Sequence, residues 1–361
     1  MDTLLDYKCP SCGGAIQFDS TTQNMKCPYC DTEFEVEALK QMDEAIQAEP
    51  QEDLTWNAEA QSQWQDGEEA SLDQYVCQSC GGQIVTEHTT AATSCPYCGN
   101  PVVLAQRVAG SLKPDCIIPF QLDQTAAEEA LIKHFTGKPL LPKAFKNETH
   151  IRQIKGVYVP FWLFDAHADA SIRYRATRVR TWSDSNYNYT ATSHYSVHRE
   201  GCLSFSGVPV DGSVKMDNTL MESLEPYDHS KAVDFQTAYL AGYLADKYDV
   251  TAKDSEPRAN DRIRTSVENE FMGTVVGYTS VTTQSSSIRL SEGKVRYALY
   301  PVWLLSTQYR GENYLFAMNG QTGKLVGNLP TDWSAFWKWF ALLSLGGSAL
   351  SALVAYLMGF L

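Results

Sequence analysis

An α+β architecture built in separable pieces is expected from three features of this 361-residue chain. One cysteine pattern occurs twice, the long middle stretch mixes alternating apolar runs with helical ones, and the last 23 residues carry no charge. These features predict two small four-cysteine zinc ribbons, a central, mainly antiparallel α+β domain and one C-terminal transmembrane helix. Along the chain the expected segments are a first ribbon at 1–37, an acidic linker at 38–74, a second ribbon at 75–105, an α+β platform at 106–330, and a transmembrane helix with an aromatic flank at 333–361.

The ribbons rest on "CPSCGGAIQFDSTTQNMKCPYC" and "CQSCGGQIVTEHTTAATSCPYCG", which place Cys9, Cys12, Cys27 and Cys30 in one copy and Cys77, Cys80, Cys95 and Cys98 in the other. Two CxxC knuckles on a short loop let two tight turns close on one ion, and Zn²⁺ favours such a tetrahedral thiolate site. Four cysteines leave no open coordination position, so two structural zinc ions are expected, one per ribbon. A segment of some 25 residues cannot bury enough apolar surface to fold alone, and metal binding would supply on the order of 10 kcal/mol. Spacing alone does not separate zinc from iron in a rubredoxin-like site. A redox dithiol lacks its βαβ context, and His88 reads as a loop residue rather than a ligand. The short runs "AIQFD", "FEVE", "QIV" and "PVVL" would form the ribbon hairpins. The other two cysteines, Cys116 and Cys202, read as buried, inert thiols.

Charge narrows the ribbons' partners. Residues 1–104 hold three lysines, no arginine and eighteen acidic residues, whereas the remainder is nearly neutral. Phosphate neutralisation by Lys and Arg supplies most non-specific nucleic-acid affinity, so nucleic acid is an unfavourable partner for this half and protein contact the better one. The linker reads as a solvated, acidic segment opening with a short helix on Leu39, Met42 and Ile46. Trp56 and Trp64 argue instead for docking onto a neighbouring surface.

In the middle of the chain, "LDQTAAEEALIKHFTGK" predicts a helix capped by Asp123, apolar at Ala127, Leu131 and Phe135 and stopped at Gly137. "GVYVPFWLFDAHADASIRYRATRVRTW" and "YNYTATSHYSVHREGCLSFSGVPV" alternate as strands, "KAVDFQTAYLAGYLADKYDV" has helix-like clusters, and "PRANDRIRTSVENEFMGTV" is an amphipathic helix. Strands with a turn around Asn319, Gly320 and Gly323 close the domain. "VPFWLF" at 159–164 and "YPVWLL" at 300–305 form an internal echo, read either as chance or as two related halves. No catalytic set emerges, and an enzyme is not expected. His194 and His198 share a strand face without a further ligand at matching spacing, His134, His150, His167 and His229 stand alone, and "GQTGK" at 320–324 is a turn.

The final run, "WFALLSLGGSALSALVAYLMGFL", is long enough to cross about 30 Å of hydrocarbon. Asp332 is placed as its N-cap, Trp333, Trp337 and Trp339 as an interfacial belt, and Lys338 to snorkel beside them. Ser344, Ser348, Ser351, Ala355 and Gly359 form a small-residue stripe suited to packing on another helix. The N-terminal residues show no secretory signal. The expected placement is the cell membrane, single-pass and tail-anchored, with the bulk of the chain cytoplasmic.

Twin ribbons followed by "KPDCIIPF", "IKGVYVPFWLFD", "AYLAGY", "FAMNGQTGKLVG" and a terminal span resemble, over nearly the whole chain, a bacterial family of membrane-anchored TFIIB-type zinc-ribbon proteins, some labelled primosomal helicase-like. The helicase label finds no nucleotide motif here. Some members of that family are associated with phage-shock-protein-A-type and SPFH (flotillin-like) proteins in membrane stress. The resemblance implies an adaptor or scaffold that docks those proteins at the membrane; no small-molecule substrate is evident from the residues. The alternative is a zinc-ribbon protein associated with nucleic acid, in transcription or replication.

Overall fold

A computed structural model describes residues 8–47, 52–56, 62–64, 68, 71–87, 90, 94–107, 112–146 and 151–359. His88, His150 and the side chains of Met42 and Ile46 lie outside the described residues. In chain order the elements are β1 (Gln17–Asp19), β2 (Asn24–Lys26), β3 (Glu33–Phe34), α1 (Val36–Gln47), β4 (Leu72–Cys77), β5 (Gln83–Glu87), β6 (Val102–Arg107) and β7 (Cys116–Ile117). They continue with α2 (Gln124–Phe135), β8 (Lys155–Ser183), β9 (Asn188–Asp211), α3 (Asn218–Leu224), β10 (Val233–Asp234), β11 (Leu244–Asp246), α4 (Ala252–Gly273), β12 (Ser280–Tyr309), β13 (Glu312–Asn319), β14 (Leu325–Gly327) and α5 (Trp333–Gly359). The protein is mixed α+β with a mostly antiparallel central sheet, as the alternating runs predict.

Two compact units emerge, and neither follows the segments drawn along the sequence, because both are assembled from distant stretches. The first comprises Met1–Glu59, Phe164–Val208 and Glu256–Val295, and the second Ala60–Leu163, Pro209–Ser255 and Arg296–Leu361. The 106–330 platform is thus shared between them, and the two ribbons fall in different units.

In the first unit, the outer parts of β8, β9 and β12 bury Ala168, Ile172, Tyr174, Val197 and Ile288 against Ile263, Val267 and Phe271 of α4. These α4 positions recur every four residues, giving one apolar stripe. Residues 52–56 of the expected linker dock here. The Asp53 N–H donates to the Ile288 carbonyl and its own carbonyl accepts from Leu290. Trp56 sets its ring 4.9 Å from Phe164 and donates its indole N–H to Asn260. In the second unit Trp64 likewise meets Phe235 edge-on at 5.9 Å.

In the second unit the hydrogen-bonded order is β10-β7-β12-β8-β11-β5-β4-β6, with β13 and β14 continuing from β12. Residues 157–164 of β8 are buried on both faces, as a continuous apolar run in a central strand should be. Helix α2 begins as predicted, the Asp123 carboxylate accepting from the Ala126 N–H, and buries Ala127, Leu131 and Phe135. The helix-like clusters within 231–250 do not form an α-helix. A single turn at Thr237–Leu240 is followed by Gly242 at φ +82° and then β11, whose backbone is paired with both β8 and β5. "FEVE" also divides, Phe34 ending β3 and Val36 opening α1. Cys116 is buried, but Cys202 is exposed on β9, so its expected burial is not met.

The internal echo is structural. The elements β7-α2-β8-β9 and β11-α4-β12-β13 occur in the same order, and they exchange partners. β7 pairs in parallel with β12 through Cys116–Ala298 and Ile117–Leu299, and β11 with β8 through Leu244–Val157 and Ala245–Tyr158. The register is the same relative to Pro160 and Pro301. The Pro160 carbonyl accepts from Gly212 and the Pro301 carbonyl from Gly320. The Gly212 carbonyl accepts from Asp249 and Val250, and that of Gly320 from Gln121 and Leu122. Trp162 donates to the Val250 carbonyl at 2.9 Å, and Trp303 to that of Leu122 at 3.1 Å. Two related halves therefore interlock, each tryptophan bonding the segment that follows the other half's short strand.

Helix α5 opens on Asp332, whose carboxylate accepts from the Ser334 N–H at 2.9 Å. It is 27 residues long, its most apolar 18-residue stretch has a mean hydropathy of 1.8, and none of that stretch is buried. This length and composition suffice to span a membrane.

Candidate metal centres

The knuckles are shaped by the chain before any metal is considered. In each, the N–H four residues after the leading cysteine returns to that cysteine's carbonyl: Gly13 to Cys9, Asp31 to Cys27, Gly81 to Cys77 and Gly99 to Cys95, at 2.8–3.0 Å. The turn requires a left-handed residue at that position. Gly13, Gly81 and Gly99 supply it at φ +71 to +75°, and Asp31 adopts φ +54°.

These turns bring both predicted cysteine sets together. Within each set all four sulfurs lie within 4.8 Å of one another. Cys9 and Cys30 are 3.6 Å apart and Cys12 and Cys27 3.5 Å apart; in the second set Cys77–Cys98 and Cys80–Cys95 are both at 3.6 Å. Four sulfurs at a zinc–sulfur distance of about 2.3 Å around a tetrahedral ion stand about 3.8 Å apart. A disulfide needs about 2.05 Å. The donor set and spacing fit zinc, and each group can hold one structural zinc ion. Zn²⁺ would draw the four thiols into thiolates and supply the core that so short a segment lacks.

Each site has an outer donor at the equivalent position. Thr32 Oγ1 lies 3.2 Å from Cys30 Sγ, and Asn100 Nδ2 donates to Cys98 Sγ at 3.4 Å. The Thr32 hydroxyl and N–H hold the Cys30 thiol down at about 6. Burial opposes ionisation of Cys98, but the Asn100 backbone and side chain overcome it and bring the thiol to about 7. Such donors stabilise thiolate and orient the ligand.

The surroundings then diverge. The first ribbon carries its own three-stranded sheet, β1-β2-β3, and a small core of Cys9, Ile16, Cys27 and Leu39. In the second, Cys77, Ile84, Cys95 and Tyr97 belong to the main core with Val157, Leu244 and Tyr300, and β5 pairs with β11. Lys155 donates its ammonium to the carbonyl of Ser94, beside Cys95, at 2.6 Å. The Tyr97 hydroxyl is buried beside Asp246, whose carboxylate accepts from Ser213 Oγ. Burial raises the Asp246 carboxyl to about 7. No local signal separates the two ribbons, because the residues that enclose the second lie far along the chain.

His194 and His198 do share a strand face. Four residues along a strand is about 13 Å, too far for one ion. His198 Nε2 instead meets Ser171 Oγ at 2.8 Å, and His134 and His167 join no metal-ligating group among the described residues.

Fold and sites together define a twin zinc-ribbon protein on a duplicated α+β platform, with a C-terminal helix able to anchor it in a membrane. No protein-family model and no solved structure matches the chain. It is 36% identical over 356 residues, 99% of each chain, to the uncharacterized protein YdjG of Bacillus subtilis (strain 168), and it belongs to that protein's family.

Proposed function

We propose that this protein is a membrane-anchored zinc-ribbon adaptor that docks other proteins at the cell membrane from the cytoplasmic side. The observation that carries this reading is the exposure of the first ribbon's aromatic residues: Tyr29 is 75% and Phe18 54% exposed on a small, acidic, metal-closed module. A ribbon stabilised by its own zinc can present such side chains without a core beneath them, and exposed aromatics anchor protein interfaces. The closed four-thiolate sites favour a structural over a catalytic metal. Resemblance adds the kind of partner, phage-shock-protein-A-type and SPFH-type proteins acting in envelope stress.

The test is a pull-down from detergent-solubilised membranes with the full chain, Tyr29→Ala, and Cys9→Ser/Cys12→Ser, with zinc measured in each preparation. Specific membrane-associated proteins should drop out with both variants, while zinc stays at two per chain in Tyr29→Ala and falls to one in the cysteine variant. An unchanged partner set in both variants would overturn the adaptor role of the first ribbon.

A further inference from the structure

The two interlocked halves are not equal in length, and the difference lies in one hairpin. From Pro301, β12 runs only to Tyr309 before turning into β13; from Pro160, β8 continues to Ser183 before β9 returns from Asn188. The additional hairpin contributes Ile172, Tyr174 and Val197 to the core against α4. Its opposite face, where the shorter hairpin has no counterpart, carries Arg173, Arg175, His194, Ser196 and His198.

That face is covered by the first ribbon, within the same unit. The Arg175 guanidinium donates to the Ser11 carbonyl at 3.3 Å, a single exposed bond between knuckle and strand. Between them lies a cavity of about 490 Å³, within the range of small-molecule sites. Its floor is polar and cationic, with the two arginines and two histidines joined by Gln284 of β12. Its roof is mostly apolar, formed by Pro10 and Phe34 of the ribbon and Ala38 and Leu39 of α1, with Gln41 as its one polar side chain among the described residues. The His194 Nδ1 is buried there without a hydrogen-bond partner among the described residues. A metal does not fit this set, because the histidines are too far apart and no carboxylate or thiol lines the cavity among the described residues. An anion does: guanidinium groups present paired donors to carboxylate or phosphate, and apolar walls take an organic body.

We infer that the cavity between the first ribbon and the extended β8–β9 hairpin binds a small organic anion, with a phosphate or carboxylate head on the Arg173–Arg175–His194 floor and an apolar body under Phe34 and Leu39. The first zinc then has a second role, since it shapes the roof of a ligand site.

The experiment is calorimetric titration of the full chain in nanodiscs, corrected against empty nanodiscs, with 2-naphthyl phosphate, 2-naphthol and inorganic phosphate as probes. 2-Naphthyl phosphate should bind at least tenfold more tightly than either of the other two, each of which lacks half of the chemistry. Arg175→Gln and Gln284→Glu, both on exposed strand positions, should weaken it at least tenfold while retaining two zincs per chain and the wild-type melting temperature. Equal binding of 2-naphthol, or undiminished binding of 2-naphthyl phosphate by both variants, overturns the assignment. Displacement of the bound probe in nanodiscs containing phosphatidic acid would identify the anion as a lipid headgroup, and its retention a soluble molecule; either follows only if the anion-dependent binding is first observed.

Discussion

Tyr29 and Tyr97 occupy the same place in the two ribbons, one residue before the last cysteine, and each ring packs against the same glycine, Gly14 or Gly82. Yet Tyr29 is 75% exposed and Tyr97 only 8%. The local sequence is shared, so the difference comes from what the rest of the chain brings to each ribbon. The second is enclosed by β8, β11 and α3 and works as a piece of the core. The first keeps a private core of four buried residues and works as a module. One metal-binding motif stands in two settings, inside a large shared core and around a small one of its own.

The largest test of this contrast is to remove each metal in turn. Cys77→Ser/Cys80→Ser takes the zinc from a site whose ligands Cys77 and Cys95 sit among the buried residues of the second unit, leaving polar groups in its core. Removing a buried partner set of this kind costs more than about 4 kcal/mol, enough to unfold a marginal domain. The expected outcome is loss of the main cooperative melting transition, followed by circular dichroism. Cys9→Ser/Cys12→Ser should reduce zinc from two to one per chain and leave that transition within about 3 °C, a shift worth less than about 1 kcal/mol. Equal losses of melting temperature would erase the distinction.

A smaller effect separates the ribbons by pH. Asp246, buried beside Tyr97, has no counterpart at the first ribbon among the described residues. Its folded-state value of about 7 stands above the usual carboxylate range, so the folded protein holds this proton more tightly than the unfolded chain. The resulting stabilisation is fully present below about pH 4 and is lost as pH rises through about 7, a change of about 2–4 kcal/mol at about 1.4 kcal/mol per unit. Asp246→Asn should therefore raise the second unit's melting temperature at pH 8 more than at pH 5 and flatten its pH dependence. A stability–pH curve parallel to that of the wild type would show that Asp246 is not the titrating group.

Much of this was legible from local chemistry. The eight cysteines, the Asp123 cap, the Ala127–Leu131–Phe135 stripe and the apolar terminal helix are each set by residues within a few turns of one another. What escaped depends on distant pairing. Residues 231–250 look helical by cluster, but strands β8 and β5, the latter from far earlier in the chain, satisfy the backbone of Leu244–Asp246 instead. Trp56 and Trp64 signalled docking without naming Phe164 and Phe235. The Pro-x-Trp-Leu echo was visible, but not the exchange of short strands that makes it a fold. The cationic cavity needed the ribbon placed over the hairpin, and no spacing along the chain encodes that.

The smallest effect distinguishes the ribbons at a single backbone position. Where the second ribbon has Gly99 at φ +74°, the first has Asp31 at φ +54°. A left-handed conformation costs an L-residue roughly 1–2 kcal/mol, although Asp tolerates it better than most. Nothing lies within 4 Å of a methyl group added at Gly99, so Gly99→Ala tests conformation without a clash. It should lower the second unit's stability by about 1 kcal/mol, read in the main melting transition. Asp31→Gly should relieve the same strain in the first ribbon and leave that transition unmoved, its effect appearing as slower zinc loss to a chelator, by no more than about fivefold for a gain of up to about 1 kcal/mol. If Asp31→Gly instead moved the main transition as Gly99→Ala does, the first ribbon would be coupled to the rest of the fold as tightly as the second, and its independence would have to be abandoned.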